Sequence, residues 1–283
     1  MKLIPIFAED FKLDGGACFG VVPKSIWSKY YTADENNMLP IALRCLLVDT
    51  GERVILIDNG IGDKQDGKFR EHLYLFGNRS LKTSFAEAGY SYDDVTDVLL
   101  THLHYDHCGG GVQYNEDRTG FELTFKKAAY WCSRAQWEWA LKPNPREGAS
   151  YLKENLLPMH ESGKLNFIEQ EGLLTAEIFL KIYNGHTEGQ IIPVIAYKNR
   201  KVVFMSDFIP TPANVPLPYV ASYDTRPLLS MEEKKRFLDE AVNENYILFF
   251  EHDYLNEACS LEQTIKGVRM KNTGTVEQLI QSS

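Results

Sequence analysis

The chain has 283 residues, 44% apolar and 24% charged, with a formal net charge of −9. That length is ample for a full hydrophobic core, and the composition is that of a globular protein. The acidic balance, with the clearest basic run confined to KGVRMK at 266–271, argues against a chain built to hold nucleic acid, which wants a basic face.

In chain order, the opening stretch MKLIPIF is too short for a signal-peptide core and fits a first β-strand. IALRCLLVD (41–49) and RVILIDNG (53–60), joined by Thr50-Gly51-Glu52, read as a hairpin. SLKTSFAEAG (80–89) is a helix stopped by Gly89. Strands follow at DVLLTH (97–102) and AAYWC (128–132), then a helix over RAQWEWAL with Ser133 and Gln136 as a capping box. SYLKENLLPMHESG (150–163) has helical spacing until Pro158, where a break is expected. Further strands fall at 177–185, 191–197, 201–207 and 246–253. A helix is expected over MEEKKRFLDEAVNEN, opened by a box of Ser230 and Glu233. Stretches 14–40, 111–127 and 208–228 read as long loops, and loops of that length in a compact domain are usually functional or disordered. Interleaved strands and helices without a linker predict one α/β domain over 1–283 with sheet at its centre.

No apolar run approaches the roughly 20 residues that span a membrane. The five cysteines are odd in number, widely spaced and free of any C-x-x-C, which reads as reduced thiols in a cytoplasmic protein.

The chemistry concentrates in THLHYDHCGG at 101–110, which holds three of the seven histidines. His102 and His104, two apart in an extended segment, point the same way. Asp106 and His107 lie beyond the strand, where a turn aims a second pair, and the following glycines let the backbone leave tightly. His186, Asp207 and His252 occupy the same position at other strand ends, as does Asp58. Functional groups in α/β sheets gather at the carboxyl ends of strands. Five histidines and two aspartates are too many for one ion and right for two, if one carboxylate bridges; imidazole and carboxylate suit Zn²⁺, with Mn, Fe or Co as alternatives.

These motifs, with NGHTEGQ around His186, MSD ending on Asp207 and the early LIDNG, resemble the metallo-β-lactamase superfamily from Asp58 to His252. The resemblance implies an αβ/βα sandwich with two mixed sheets flanked by helices. It implies one ion held by His102, His104 and His186, a second by Asp106, His107 and His252, Asp207 bridging, and Asp58 orienting ligands. Lactamases of the family commonly carry Cys where Asp207 falls; glyoxalase-II-like members carry a further His where Leu103 stands; diiron flavoproteins want Glu in the motif; the acidic charge disfavours the RNA-processing branch. FGVVPKSIWSK (19–29) and the segment 207–227 are most similar to N-acyl-homoserine lactonases and methyl-parathion-hydrolase-like enzymes. The best-known lactonases place Tyr where this chain has Pro210, so either Tyr219 or Tyr223 supplies a phenol or no phenol is used.

The implied reaction opens an acyl lactone, foremost an N-acyl-homoserine lactone (quorum quenching), by a hydroxide shared between the metals. Asp106 or Asp207 passes the proton to the leaving oxygen. Phosphotriester or aryl-ester hydrolysis on the same site is the alternative. Phe19, Trp27 and Tyr30 would wall the substrate pocket. The expected partners are a small-molecule ester or lactone, with neither nucleic acid nor membrane, in a monomer or homodimer. Cys108 reads as a buried thiol rather than a nucleophile; His72 and His160 read as surface or packing residues.

Overall fold

The computed structural model describes residues 1–282. Its contacts divide the chain into two compact units: Met1–Phe11 with Ala42–Gln170, and Lys12–Ile41 with Glu171–Ser283. Strands β1 (Lys2–Asp14) and β2 (Met38–Asp49) enclose two short helices, α1 (Gly15–Phe19) and α2 (Lys24–Trp27), in the stretch read as loop.

The first unit continues with β3 (Val54–Ile57), α3 (Gly67–His72), α4 (Leu81–Ala88), β4 (Asp97–Leu99), α5 (Tyr105–Cys108), β5 (Val112–Tyr114), β6 (Phe121–Leu123), β7 (Ala129–Ser133), α6 (Arg134–Leu141), α7 (Lys153–Glu161) and β8 (Leu165–Ile168). Its main sheet runs β1-β2-β3-β4-β7-β8. The expected hairpin is present, with Asp49 opposite Val54. β3, β4, β7 and β8 pair parallel, so the residues after β3, β4 and β7 emerge on one edge. Ser80 caps α4 by accepting from Thr83 N–H, and Gly89 ends it in the left-handed region. Pro158 lies inside α7 rather than breaking it. Its ring removes one bond near the end of the helix, and one further turn still forms. The region 111–127, read as loop, contains the β5–β6 hairpin.

The second unit holds β9 (Gly172–Leu173), β10 (Ile178–Tyr183), β11 (Gln190–Tyr197), β12 (Arg200–Phe204), α8 (Pro227–Asn243), β13 (Ile247–Phe249), β14 (Ala258–Thr264), β15 (Gly267–Gly274) and α9 (Val276–Gln281). The sheet order is β15-β14-β13-β12-β11-β10-β9. β11 is antiparallel to both β10 and β12, and β12 is parallel to β13. β10, β12 and β13 therefore run the same way. Ile192, Val194, Val203, Met205, Leu248 and Phe250 alternate along their strands toward a core shared with Phe237, Leu238 and Ala241 of α8. Truncating a buried aromatic such as Phe237 to alanine costs about 3–5 kcal/mol.

Helix α8 begins at Pro227, not at a Ser230 cap. Proline at the first helical position presets φ and lacks only a donor that has no intrahelical partner there. Glu233 is not a capping partner either: its carboxylate accepts from the backbone N–H of Asn184 and Gly185. Among the described residues no helix is long and apolar enough to cross a membrane.

Candidate metal centre

β4, β10, β12 and β13 end at Leu99, Tyr183, Phe204 and Phe249. His102, His186, Asp207 and His252 each lie three positions beyond those ends, and Asp58 lies one beyond β3. The parallel strands of each unit thus deliver their polar residues to one edge of their own sheet.

In the first unit, THLHYDHCGG leaves β4 extended and turns into α5, which carries Asp106 and His107. His102 Nε2 and His104 Nδ1 lie 3.0 Å apart. His107 Nε2 lies 3.6 Å from Asp106 Oδ2, and the rings of His102 and His107 are 4.0 Å apart. His102, His104, His107 and Asp58 are all buried. Each outer nitrogen has its own partner. His107 Nδ1 donates to Asp58 Oδ2 at 3.0 Å, and Asp58 is held by Thr101 N–H (2.8 Å) and hydroxyl (2.6 Å). His104 Nε2 donates to Glu147 Oε1 at 3.3 Å. His102 Nδ1 lies 3.1 Å from the Thr101 hydroxyl.

The glycines after the motif have a steric cause. A Cβ on Gly109 would sit 2.0 Å from Ile61 O, and one on Gly110 2.0 Å from Asn59 O. The motif is bonded against that backbone through Asn59 N–H to His107 O and Gly110 N–H to Gly60 O. Cys108 is buried, and burial pushes its thiol up to about 12, which suits packing and not attack.

In the second unit, Asp207 faces two imidazoles. Its Oδ2 is 3.2 Å from His186 Nε2 and its Oδ1 is 2.8 Å from His252 Nε2. His186 Nδ1 donates to Asp224 Oδ1 at 3.1 Å. Burial alone would lower the His186 pKa, but the Asp207 charge and the bonds to Asp207 and Asp224 override it and raise it to about 10. Such an imidazole is surrounded for a cation. Gly185 is required beside it, since a Cβ there would meet Ser230 Cα at 2.5 Å.

Two non-glycine residues beside these groups adopt left-handed backbone: Asp58 (φ 55°) and Ser206 (φ 44°). Left-handed non-glycine residues cost about 1–3 kcal/mol and cluster at functional sites.

The donor set passes a simple geometric check. Ligands of one tetrahedral ion at about 2.0–2.1 Å lie roughly 3.3 Å from each other. The pairs His102–His104, His186–Asp207 and His252–Asp207 are 3.0, 3.2 and 2.8 Å apart, and Asp106–His107 is 3.6 Å.

The residues expected to wall a pocket are placed as follows. Phe19 and Trp27 are buried and stacked, with ring centroids 5.5 Å apart, and Phe19 also stacks on Tyr31. A small apolar hollow in the second unit is lined by Cys18, Phe19, Tyr31, Leu39, Thr211 and His252, among others. Tyr30 is exposed. Tyr223 sets its ring edge-on to His186, at 5.6 Å. Tyr219 is half-buried, and its carbonyl accepts from Lys234. His160 stacks on Trp137 at 5.1 Å, and His72 lies on α3.

Sequence reasoning missed Glu147, Asp224 and the buried Lys234. The two carboxylates sit in irregular segments with no periodic signal. Lys234 had one: it falls on the stripe of α8 that buries Ser230, Phe237, Leu238 and Ala241.

Comparison with known proteins agrees with this geometry. Residues 44–252 match the metallo-β-lactamase superfamily. An N-acyl homoserine lactonase of Bacillus cereus is 26% identical over 241 residues, covering 80% of this chain and 87% of that one. A probable metal-dependent hydrolase from Staphylococcus aureus superposes with a TM-score of 0.88 at 28% identity, covering 98% of this chain and 97% of the other. The dizinc quorum-quenching lactonase AidC shares the fold at a TM-score of 0.79 and 21% identity, over 97% and 95% of the two chains. With its histidine–aspartate clusters at the strand ends, the chain belongs to the metallo-β-lactamase superfamily and is a metal-dependent hydrolase of that fold.

Proposed function

We propose that the chain is a dinuclear-metal lactonase acting on N-acyl-homoserine lactones. In this reading His102, His104 and His186 would hold one ion, Asp106, His107 and His252 would hold the other, and Asp207 would be shared between them. The observation that carries it is Asp207, whose two carboxylate oxygens each face a different imidazole. A bridging carboxylate has that arrangement, and a structural ion pair needs only one such contact. The lactonase relative supports the substrate class, since it aligns over most of both chains.

When bound, two divalent ions, Zn²⁺ by donor type, supply Lewis acidity and acidify water near neutral pH. The residues of the chain do the rest. Asp58, Glu147 and Asp224 fix the tautomer and direction of His107, His104 and His186. Asp106 would take the proton of the attacking water as its oxygen bonds to the lactone carbonyl carbon, and would return that proton to the ring oxygen as the ester C–O bond breaks; Asp207 is the second carboxylate placed to do so. Phe19, Tyr31 and Thr211 would offer apolar surface beside His252 for the acyl chain to lie against. Tyr223, whose ring packs at right angles to His186, would be the phenol in place of the one absent at Pro210. Five free cysteines, all buried, fit a reducing cytoplasmic location.

The test is metal content with a substrate panel: hexanoyl- and decanoyl-homoserine lactone, paraoxon, nitrocefin and lactoylglutathione. Two ions per chain and preferential lactone opening are expected. Faster paraoxon turnover replaces the lactonase reading with a phosphotriesterase, and two bound ions with no lactone turnover overturns it.

A further inference from the structure

Lys234 lies on α8 and is 2% exposed. Its ammonium donates to three backbone carbonyls of one irregular segment: Asn214 O (2.9 Å), Pro216 O (3.1 Å) and Tyr219 O (2.9 Å). An ammonium has three protons, and all three are used. Burial lowers the Lys234 pKa to about 7, with only the Asp224 charge pulling it up, so the charge is held at a cost. A leucine or methionine would fill the same space in an apolar helix stripe without that cost.

The tie continues past Asn214. The Asn214 amide donates to Cys18 O at 3.0 Å, and its carbonyl accepts from the Thr211 hydroxyl at 2.6 Å. Ser222 N–H donates to Ala17 O at 2.9 Å. Cys18 and Thr211 both line the apolar hollow beside His252. One buried charge therefore fixes the segment that carries one wall of the hollow and, through Asn214, the segment that carries another.

We propose that Lys234 is a positioning residue for substrate binding: its ammonium locks the 211–220 segment, and through Asn214 the Cys18–Phe19 segment, in the shape that receives the organic tail of the substrate. The use of the hollow by substrate rests on the lactonase reading; the lock itself does not. Nothing in the lock touches the reacting atoms, so its loss acts on binding and leaves the chemical step in place.

The experiment separates the two. Amide hydrogen exchange on the metal-loaded protein compares wild type with Lys234→Met, which keeps length and removes the donors. Residues 211–220 and 17–22 are expected to exchange at least about tenfold faster in the variant, with β10, β12 and β13 unchanged. Equal exchange in both segments overturns the lock, whatever the substrate proves to be. Steady-state kinetics on hexanoyl-homoserine lactone then tests the role: KM rises about five- to fiftyfold, with kcat within about threefold and two metals retained. A fall in kcat at unchanged KM, or loss of metal, overturns the positioning role. Asn214→Ala, with Lys234 intact, is expected to free residues 17–22 and raise KM in the same direction. It keeps the proposal testable should Lys234→Met fail to fold; an unchanged KM and exchange in Asn214→Ala counts against it. If wild type opens no lactone at all, the lactonase reading fails while the exchange result still decides the lock.

Discussion

The two units present site residues in opposite ways. In the first, His102, His104, Asp106 and His107 come from one turn of chain, and separate groups (Thr101, Glu147, Asp58) back the three imidazoles. In the second, His186, Asp207 and His252 come from three strand ends, and one carboxylate touches both imidazoles. The first cluster spreads its support over separate groups; in the second, Asp224 stands behind His186 and one carboxylate, Asp207, faces both imidazoles. The comparison teaches that density of a motif in sequence does not measure how much of a site hangs on each residue.

The largest expected effect follows directly. Asp207→Asn keeps the shape and removes the shared charge. It should lose at least one ion per chain and lower turnover by more than about 10³-fold, since Lewis-acid stabilisation is worth several kcal/mol. Asp106→Asn, on one histidine only, should retain more metal. Elemental analysis with turnover decides between them; equal metal loss in both variants breaks the asymmetry.

Next come the residues behind the imidazoles. Asp58→Asn, Glu147→Gln and Asp224→Asn should each weaken metal binding by about 10–100-fold. Asp58 should be the most damaging. It is fully buried, also accepts two bonds from Thr101, and sits in a left-handed conformation that those bonds hold. Competition with a chromogenic chelator measures all three, and a Glu147→Gln effect larger than that of Asp58→Asn would reverse the ranking.

Each unit also sets an ionisable side chain against loop backbone, a buried lysine in the second and a half-buried glutamate in the first. Lys234 donates to carbonyls in the second; Glu9 on β1 accepts from Ile61 N–H in the first. Burial raises the Glu9 pKa to about 7, partly opposed by the Ile61 bond and the Arg70 charge. The folded state therefore binds its proton more tightly than the unfolded chain does. Its contribution to stability is full below about pH 4.5 and is lost as pH rises through about 7. Glu9→Gln should flatten the fall in stability across that window. Urea melts of both proteins from pH 4.5 to 8 measure it, and parallel profiles would refute the assignment.

What was legible in the sequence divides along the same line as the site. The motif after β4 could be read because its histidines and aspartate are adjacent. His186, Asp207 and His252 could be read only because each follows an apolar run of strand length, so the strand pattern marked them. Of the groups behind the imidazoles, Asp58 could be read from its strand end, and Glu147 and Asp224 could not. Glu147 and Asp224 lie in irregular chain, where no period says which way a side chain points. The start of α8 was misread for a related reason. Ser230 and Glu233 have the spacing of a capping box, but spacing cannot show that Pro227 had already begun the helix or that Glu233 was bound to Asn184 and Gly185. Local signals failed where a distant segment supplied the partner.

The smallest predicted effect concerns a local signal of which one half held: the Ser133 cap formed, while the Gln136 side chain serves other partners than the expected box. Ser133 accepts from Gln136 N–H at 3.0 Å and caps α6, as its spacing implies. Gln136 then uses its side-chain oxygen on Leu103 N–H, between the first two motif histidines, and on the Tyr151 hydroxyl. Ser133→Ala removes the cap and should cost about 1 kcal/mol in a chemical melt. It leaves both bonds to the Gln136 side chain in place, so turnover and metal content should stay within about twofold. Gln136→Leu strips the partner from a buried N–H inside the motif, which costs about 1–3 kcal/mol and acts between the first two motif histidines. If Ser133→Ala disturbed metal binding as much as Gln136→Leu, the first cluster would depend on its helix as a unit rather than on individually backed imidazoles, and the contrast with the Asp207 cluster would fail.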